Sequence, residues 1–158
     1  MCGRVVTTSS QLELSRYLGI QEIREARDCV DYNVAPSGCL PLVWVEPDES
    51  TIGGGDNRVF GSAKWGLVPR WARSPVIGAR TFNARVETLA GKPAYRAAYE
   101  RRRCLIPIDG FYEWGPGSGI RQPWFVYARD QAPLVIAGLW DCWSSPGEDI
   151  DELRTCTV

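Results

Sequence analysis

The sequence predicts an α+β domain whose core is an antiparallel, barrel-like β-sheet with a few flanking helices. Short apolar segments separated by Gly, Pro, Asn and Asp recur along the chain, which is typical of strands joined by turns. Fewer segments carry apolar residues at helical spacing. The length of 158 residues fits one hydrophobic core, and no linker-like stretch divides the chain. We therefore treat residues 1–158 as a single domain.

The predicted strands are short runs rich in β-branched, aromatic and other apolar residues. They cover residues 40–45, 59–67, 104–108, 111–114, 124–128 and 134–140. Asp109-Gly110 predicts a two-residue hairpin turn between two of these strands. Residues 33–36 are predicted to form a loop because Pro36 disfavours helix at Ala35. The glycine-rich residues 53–57 predict a hairpin tip, and they lack the Gly-Lys-Ser/Thr ending of a phosphate-binding loop.

Two helices are predicted from the spacing of apolar residues and from capping signals. Residues 11–18 show helical spacing after Ser9 or Ser10, either of which is a suitable N-cap. Residues 93–103 form the second helix, with Pro93 in its first turn. Three tryptophans, Trp44, Trp140 and Trp143, are expected in the core.

The charge of the chain is unevenly distributed. The formal net charge is -1, yet residues 64–103 hold ten basic and two acidic residues. This segment is therefore strongly positive and the remainder is negative. A basic zone on a nearly neutral protein favours a polyanionic partner such as nucleic acid. The alternative interpretation is a solvated helix face in a protein that uses Arg in preference to Lys.

The cysteines and the absence of histidine limit the chemistry. Six cysteines are present, none in a Cys-x-x-Cys pair or at zinc-ligand spacing, so all except Cys2 are expected to be small buried residues. The chain contains no histidine, which excludes Ser-His-Asp and Cys-His catalysis among these residues. We expect no metal and no cofactor. No apolar run reaches membrane-spanning length and the N-terminus lacks a signal-peptide layout, so a cytoplasmic protein without a membrane partner is expected.

Cys2 is the sharpest chemical feature of the sequence. Removal of Met1 would leave Cys2 with a free α-amine and a thiol on one residue. Their ordinary pKa values are about 7.7–8.0 and about 8.5, so both groups are partly nucleophilic near neutral pH. Such an aminothiol condenses with an aldehyde through an imine and then a thiazolidine ring, or attacks an amide with the amine as general base.

Several short motifs, taken in order, resemble the SRAP family (SOS response-associated peptidase) over nearly the whole chain. They are Met1-Cys2-Gly3-Arg4, Tyr32-Asn33-Val34-Ala35-Pro36, Trp65-Gly66-Leu67-Val68-Pro69 with Trp71, Asn83-Ala84-Arg85-Val86-Glu87-Thr88, Arg103-Cys104-Leu105-Ile106-Pro107, Asp109-Gly110-Phe111-Tyr112-Glu113-Trp114 and Ala137-Gly138-Leu139-Trp140. Each motif is modest by itself, and the set is specific.

The resemblance implies a covalent bond between Cys2 and the ring-opened aldehyde of an abasic site in single-stranded DNA. It also implies a neutral hydrogen-bonding role for Asn83, with a turn-forming Asn as the alternative. Glu113 becomes the acid, and its aromatic neighbours are expected to desolvate the carboxyl and favour its neutral form. The alternative for Glu113 is a solvated strand residue.

The resemblance further implies a DNA-binding surface. Arg4 and Arg85 are candidates for phosphate contacts, and Trp71 is a candidate for stacking on a base or sugar beside the lesion. The remaining DNA-binding candidates are Asn33 and Pro36 at the rim of the site and the basic residues Arg70, Arg73 and Lys92. The expected partner is single-stranded DNA containing abasic sites, and the replication machinery is a further expected partner. We expect the protein to be a monomer and, if bacterial, to be associated with the nucleoid.

The family pattern continues past Thr155-Cys156-Thr157-Val158 and includes a histidine there. We therefore expect the chain to represent the domain without its C-terminal part, which would leave an open strand edge. Two alternatives stand beside this interpretation. One is a glutamine amidotransferase that uses an N-terminal cysteine, although its Arg-Gly-Pro-Asp block is absent. The other is a non-catalytic module that binds single-stranded DNA.

Overall fold

A computed structural model of the chain describes residues 3–24, 27, 29–46, 57–115, 121–145 and 152–158. Its centre is a closed barrel of five strands, in the order β10-β9-β6-β4-β5, and a short strand β2 joins the outer side of β5. These strands are β2 (Glu22–Ile23), β4 (Cys39–Val45), β5 (Arg58–Trp65), β6 (Arg103–Ile108), β9 (Leu134–Trp143) and β10 (Leu153–Thr157). The predicted α+β fold with a barrel-like core is confirmed.

The barrel closes through a parallel pair in an otherwise largely antiparallel sheet. Thr155 and Cys156 of β10 pair with Lys64 and Trp65 of β5 in parallel register. Alternate residues on each strand point inward, and the core cluster includes Trp44, Trp65, Ile106 and Cys156, all buried. A strand edge was expected to remain open, but pairing with β5 gives this edge of β10 hydrogen-bonding partners within the barrel.

A second sheet of four strands packs beside the barrel in the order β3-β1-β7-β8. Its strands are β1 (Val5–Thr7), β3 (Asp31–Val34), β7 (Gly110–Gly115) and β8 (Gln122–Val126). The first strand of the chain therefore lies inside this sheet, between β3 and β7. Val5 and Val34 of this sheet belong to the barrel's core cluster, which joins the two sheets through one core.

The predicted hairpin at Asp109-Gly110 is wrong. β6 pairs with β4 and β9, whereas β7 pairs with β1 and β8, so the two residues form a corner at which the chain changes sheets. The Asp109 carboxylate accepts hydrogen bonds from the backbone N–H of Thr8 and of Ser9 and from the Ser9 hydroxyl. A Cβ on Gly110 would collide with the ring of Phe125. The corner therefore requires Asp for its hydrogen bonds and Gly for close packing. The same Asp-Gly pair is typical of a two-residue hairpin turn, which explains the wrong prediction.

Both predicted helices are present, α1 (Gln11–Leu18) and α2 (Pro93–Arg101). Ser10 is the N-cap of α1 and forms a capping box with Glu13, while Gly19 ends the helix in a left-handed conformation. Pro93 lies in the first turn of α2 as predicted. Two short 3-10 helices, Pro75–Arg80 and Val86–Thr88, also occur. None of the helices formed by the described residues is long and apolar enough to cross a bilayer.

Two further expectations need correction. Residues 33 and 34 belong to strand β3 rather than to a loop, because Val34 packs into the core and pairs with Val5; the turn begins only at Pro36. Cys29 and Cys39 are not free buried thiols but form a disulfide. Cys104, Cys142 and Cys156 are buried and free, as expected. The predicted hairpin tip at residues 53–56 lies outside the described residues.

Candidate functional site

The start of the chain is fixed on both sides within the second sheet. Tyr112 donates its backbone N–H to the carbonyl oxygen of Arg4 at 2.9 Å, and Val5 is paired with Phe111. On the other side, Arg4 donates from Nη1 to Oδ1 of Asn33 at 3.0 Å. In this antiparallel register, each step from Val5 toward the N-terminus is a step along β7 toward Glu113. Cys2 itself lies outside the described residues.

Glu113 lies on β7 directly across from Trp124 of β8. It shares a strand face with Phe111, which packs against the core, while Tyr112 on the opposite face packs against Phe125 at 5.3 Å between ring centroids. Trp114 and Trp124 are exposed, and so is Glu113. The expectation that aromatic neighbours desolvate the Glu113 carboxyl is therefore wrong, because the residue is exposed.

Asn83 lies in an extended segment beside the end of β10. Its neighbours form a short ladder with Val158: Ala84 donates its N–H to the Val158 carbonyl at 2.7 Å, and Val158 donates to that of Phe82 at 3.2 Å. The Asn83 carbonyl accepts from the Tyr95 hydroxyl at 3.1 Å. Asn83 is half-buried, and these hydrogen bonds fix its backbone. The role of its side-chain amide stays a prediction.

The segments that carry Asn83 and Glu113 both pack against the core of the barrel. Phe82 and Phe111, which lie one and two residues before them, both pack against the core cluster of the barrel. Phe82 is fixed further by Trp65, whose indole N–H donates to the Phe82 carbonyl at 2.8 Å. Both segments are thus rigidly supported, as a site built on a scaffold requires.

The predicted DNA-binding residues are placed differently from one another. Trp71 is 60% exposed, and Arg73, Arg85 and Lys92 are also exposed. The Arg70 side chain is also 60% exposed, but it forms an ion pair with the buried Asp141 at 3.0 Å. Asn33 binds Arg4, as described above. Pro36 lies half-buried in the turn between β3 and β4.

The sequence reasoning overlooked Asp141. Its carboxylate is almost completely buried and also forms an ion pair with Arg102 at 3.1 Å. A signal was available, because Asp141 is the single charged residue in the apolar run 134–143. A carboxylate at a core-facing position requires cationic or hydrogen-bonding partners.

The free thiols of the described residues are poor nucleophiles. Burial raises the pKa of Cys104 far above its ordinary value, raises that of Cys156 to about 12, and raises that of Cys142. Each therefore stays protonated at neutral pH and is inaccessible to a substrate. Cys29 and Cys39 are joined to each other. Cys2 is the remaining cysteine of the six.

These features define an α+β barrel domain whose N-terminal strand is built into the middle of a sheet. The chain belongs to the SRAP (SOS response associated peptidase) family, whose pattern matches residues 1–158. The protein "Abasic site processing protein YoqW" of Bacillus subtilis is 34% identical over 162 residues, which cover all of this chain and 67% of that protein. "Abasic site processing protein HMCES" of Gallus gallus is 27% identical over 192 residues, covering all of this chain and 57% of that protein.

Solved structures agree with the fold. A crystal structure of a protein from Bacteroides thetaiotaomicron superposes with a TM-score of 0.76 at 22% identity, covering 99% of this chain and 67% of the other. One from Bordetella bronchiseptica gives a TM-score of 0.76 at 25% identity, covering 99% of this chain and 70% of the other. The chain thus spans about two thirds of the length of these bacterial relatives.

Proposed function

We propose that this chain processes abasic sites in single-stranded DNA by forming a covalent crosslink through Cys2, which removal of Met1 exposes. The observation that carries the proposal is the burial of every free thiol among the described residues, which leaves Cys2 as the reactive cysteine. Relatives whose names state abasic site processing match the chain along its full length and support the same substrate.

The ring-opened abasic sugar carries an aldehyde at C1′, which is the electrophile. The Cys2 amine adds to this carbon, and loss of one water molecule gives an imine. The Cys2 thiol then adds across the C=N bond: sulfur bonds to C1′, and the thiol proton ends on nitrogen. The product is a thiazolidine ring, and water is the sole by-product, so no oxidant, metal or cofactor is needed.

Glu113 is the proton donor in this scheme. Its strand is paired with the strand that begins at Val5, and two residues, Gly3 and Arg4, separate that strand from Cys2 in the sequence. The Glu113 carboxyl group relays a proton from solvent to the sugar oxygen during ring opening, or to the hydroxyl that leaves as water. Because Glu113 is exposed, its protons exchange directly with solvent, and water can partly replace it.

Asn83 orients the reacting groups. A neutral amide donates and accepts hydrogen bonds, so it can hold the Cys2 amine or a sugar oxygen without adding charge. Its backbone is fixed by Tyr95 and by the ladder with Val158, which reduces the ordering needed when DNA binds. We assign Asn83 to positioning and Glu113 to proton transfer.

The exposed cations of residues 64–103 supply affinity for the phosphate backbone. Arg73, Arg85 and Lys92 are exposed, and each neutralised phosphate releases counterions, so binding weakens as salt rises. Trp71 provides an exposed ring on which an unpaired base or sugar stacks, which favours single strands over duplex.

Peptidase and lyase chemistry follow from the same residue. In removal of Met1 by the protein itself, the Cys2 thiol attacks the Met1 carbonyl, and the Met1 acyl group passes from nitrogen to sulfur. Water then hydrolyses this thioester, which releases methionine and leaves the free Cys2 amine and thiol. If ring closure fails, the imine makes the C2′ proton acidic, and its loss expels the 3′ phosphate and cleaves the strand. We place this activity in the response to DNA damage.

The decisive experiment incubates the protein with a single-stranded oligonucleotide that carries one abasic site. A heat-resistant, slowly migrating band on a denaturing gel is expected for the wild type and is expected to be absent for Cys2→Ala. Cys142→Ala is the matched control, because it removes a buried thiol and leaves Cys2 intact. An undiminished band with Cys2→Ala contradicts the proposal, as does a crosslinked protein that still carries Met1.

A further inference from the structure

We propose that Asp141 is a positioning residue that fastens the loop of residues 68–72 and thereby orients Trp71 for contact with single-stranded DNA. This inference rests on the proposed function and deepens it, because it assigns the geometry of the DNA-binding loop to a buried carboxylate on the barrel. It also changes the role of Arg70 from a phosphate contact to a clamp.

Asp141 holds this loop through both its backbone and a side chain. Its Oδ2 accepts from the backbone N–H of Arg70 at 3.3 Å, and its Oδ1 accepts from Arg70 Nε at 3.0 Å. Arg102 donates from Nη2 to Oδ2 at 3.2 Å, and the backbone N–H of Cys142 donates to Oδ1 at 2.9 Å. One buried carboxylate is therefore shared by two guanidinium groups and two backbone amides.

The loop is fastened at alternate residues. Val68 donates its N–H to the Thr155 hydroxyl at 2.9 Å, and the Thr155 hydroxyl donates in turn to the Asp141 carbonyl at 3.3 Å. Two residues further on, Arg70 is held by Asp141. The next alternate residue, Ala72, accepts a hydrogen bond from the Trp143 indole at 2.7 Å.

Burial differs along this loop. Val68 and Ala72 are 1% and 4% exposed, whereas Trp71 is 60% exposed and Arg70 and Arg73 are also exposed. Anchors from β9 and β10 on both sides of Trp71 hold the backbone of the loop. A residue whose backbone is already ordered loses less entropy on stacking with a base than a residue in a mobile loop does.

Arg70 and Arg73 should therefore differ in their electrostatic contribution. The Arg70 side chain is 60% exposed but is paired with Asp141, whereas Arg73 takes part in none of the ion pairs among the described residues. Loss of a phosphate contact reduces the slope of log K against log salt by about 0.7 for a single strand. Loss of a clamp lowers the affinity and leaves the slope unchanged.

A double-mutant cycle tests the clamp with an undamaged, fluorescently labelled single-stranded oligonucleotide, so that no covalent chemistry interferes. Trp71→Ala is expected to weaken binding about tenfold, consistent with loss of one stacked base. Arg70→Gln should weaken binding by up to the same factor with an unchanged salt slope. In the double variant the Arg70 effect should disappear, because Arg70 acts through Trp71. Arg73→Gln is the control that lowers the slope.

Additive effects of Arg70→Gln and Trp71→Ala, together with a lower salt slope for Arg70→Gln, would overturn the clamp and make Arg70 a phosphate contact. Hydrogen exchange provides a test that needs no DNA. Asp141→Asn and Arg70→Gln should each accelerate amide exchange in residues 68–72, with Arg70→Gln retained as the milder variant if Asp141→Asn fails to fold. Unchanged exchange overturns the clamp, whereas wild-type protein that binds no single strand overturns the proposed function.

Discussion

The guanidinium of Arg4 donates to the side-chain oxygen of Asn33 at 3.0 Å, across the pair formed by the first strand and β3. This contact links two motifs that lie 29 residues apart in the sequence, and it stands two residues from Cys2. It fixes the direction of an arginine that lies two residues from the proposed reactive cysteine in the sequence.

Loss of Asn33 should therefore weaken DNA binding less than loss of Arg4. Arg4→Ala removes a cation, so it should lower affinity several-fold and reduce the salt slope by about 0.7. Asn33→Ala removes one hydrogen-bond partner of Arg4 without removing its charge, so affinity should fall by a smaller factor at an unchanged slope. Titrations of a labelled single strand at several salt concentrations measure both effects. Equal slopes for wild type and Arg4→Ala would contradict a phosphate contact.

Most of the barrel could be predicted from the sequence because the local composition of its strands is enough to identify them. β4, β6 and β9 are apolar runs with clear boundaries, and α1 carries its own capping box. β1 and β3 were not predicted, because they are three and four residues long and their pairing joins distant segments. Asp109-Gly110 satisfies the local rule for a hairpin, and the pairing of β7 with β1 overrides that rule.

Some features of the candidate site could likewise be predicted from local sequence, and others could not. The exposure of Trp71 and Arg85 agrees with residues available to DNA, and this follows from the polar and aromatic character of their segments. The exposure of Glu113 and the capture of Arg70 by Asp141 depend on neighbours far away in the sequence. The spacing of residues in the sequence does not predict such contacts. A lone acidic residue in an apolar strand does indicate that a cationic or hydrogen-bonding partner exists.

Asp109 should contribute strongly to stability because its carboxylate serves three donors at the sheet corner. Asp109→Asn leaves some of these donors poorly satisfied and should lower the free energy of unfolding by about 1–3 kcal/mol. Asp130→Asn is the matched control, because the exposed Asp130 accepts one hydrogen bond, from Ala132 at 3.1 Å. Chemical denaturation measures both. Equal midpoints for the two variants would contradict the anchoring role of Asp109.

Thiol labelling should single out Cys2. Burial disfavours the thiolate, so the raised pKa values of Cys104, Cys142 and Cys156 keep these thiols protonated and unreactive at pH 8. Brief treatment of native protein with iodoacetamide should add one label, located at Cys2 by peptide mass spectrometry. Reduction and unfolding should then expose all six cysteines, including the Cys29–Cys39 pair. Rapid native labelling of Cys104 or Cys156 would contradict their burial.

Variants of the proposed active residues should separate bond formation from proton transfer. Cys2→Ala removes the thiol that closes the ring, so the stable crosslink should vanish while its free amine still forms an imine that borohydride traps. Cys2→Ser should also give a trappable imine, because a hydroxyl closes the ring poorly. Asn83→Ala and Glu113→Gln should slow crosslinking and leave the product mass unchanged.

The size of the Glu113 effect follows from its exposure. General acid–base groups typically contribute about 10²–10⁴-fold, and Glu113→Gln should lie at the low end because water reaches the same atoms. Glu87→Gln is the control, since Glu87 is an exposed carboxylate within a 3-10 helix outside this site. Time courses on denaturing gels, with intact mass of the product, measure rate and identity together. A persistent band with Cys2→Ala would mean that the nucleophile is Lys64 or Lys92, the two lysines of the chain. A crosslinking rate of Glu113→Gln equal to that of the wild type would remove Glu113 from the mechanism.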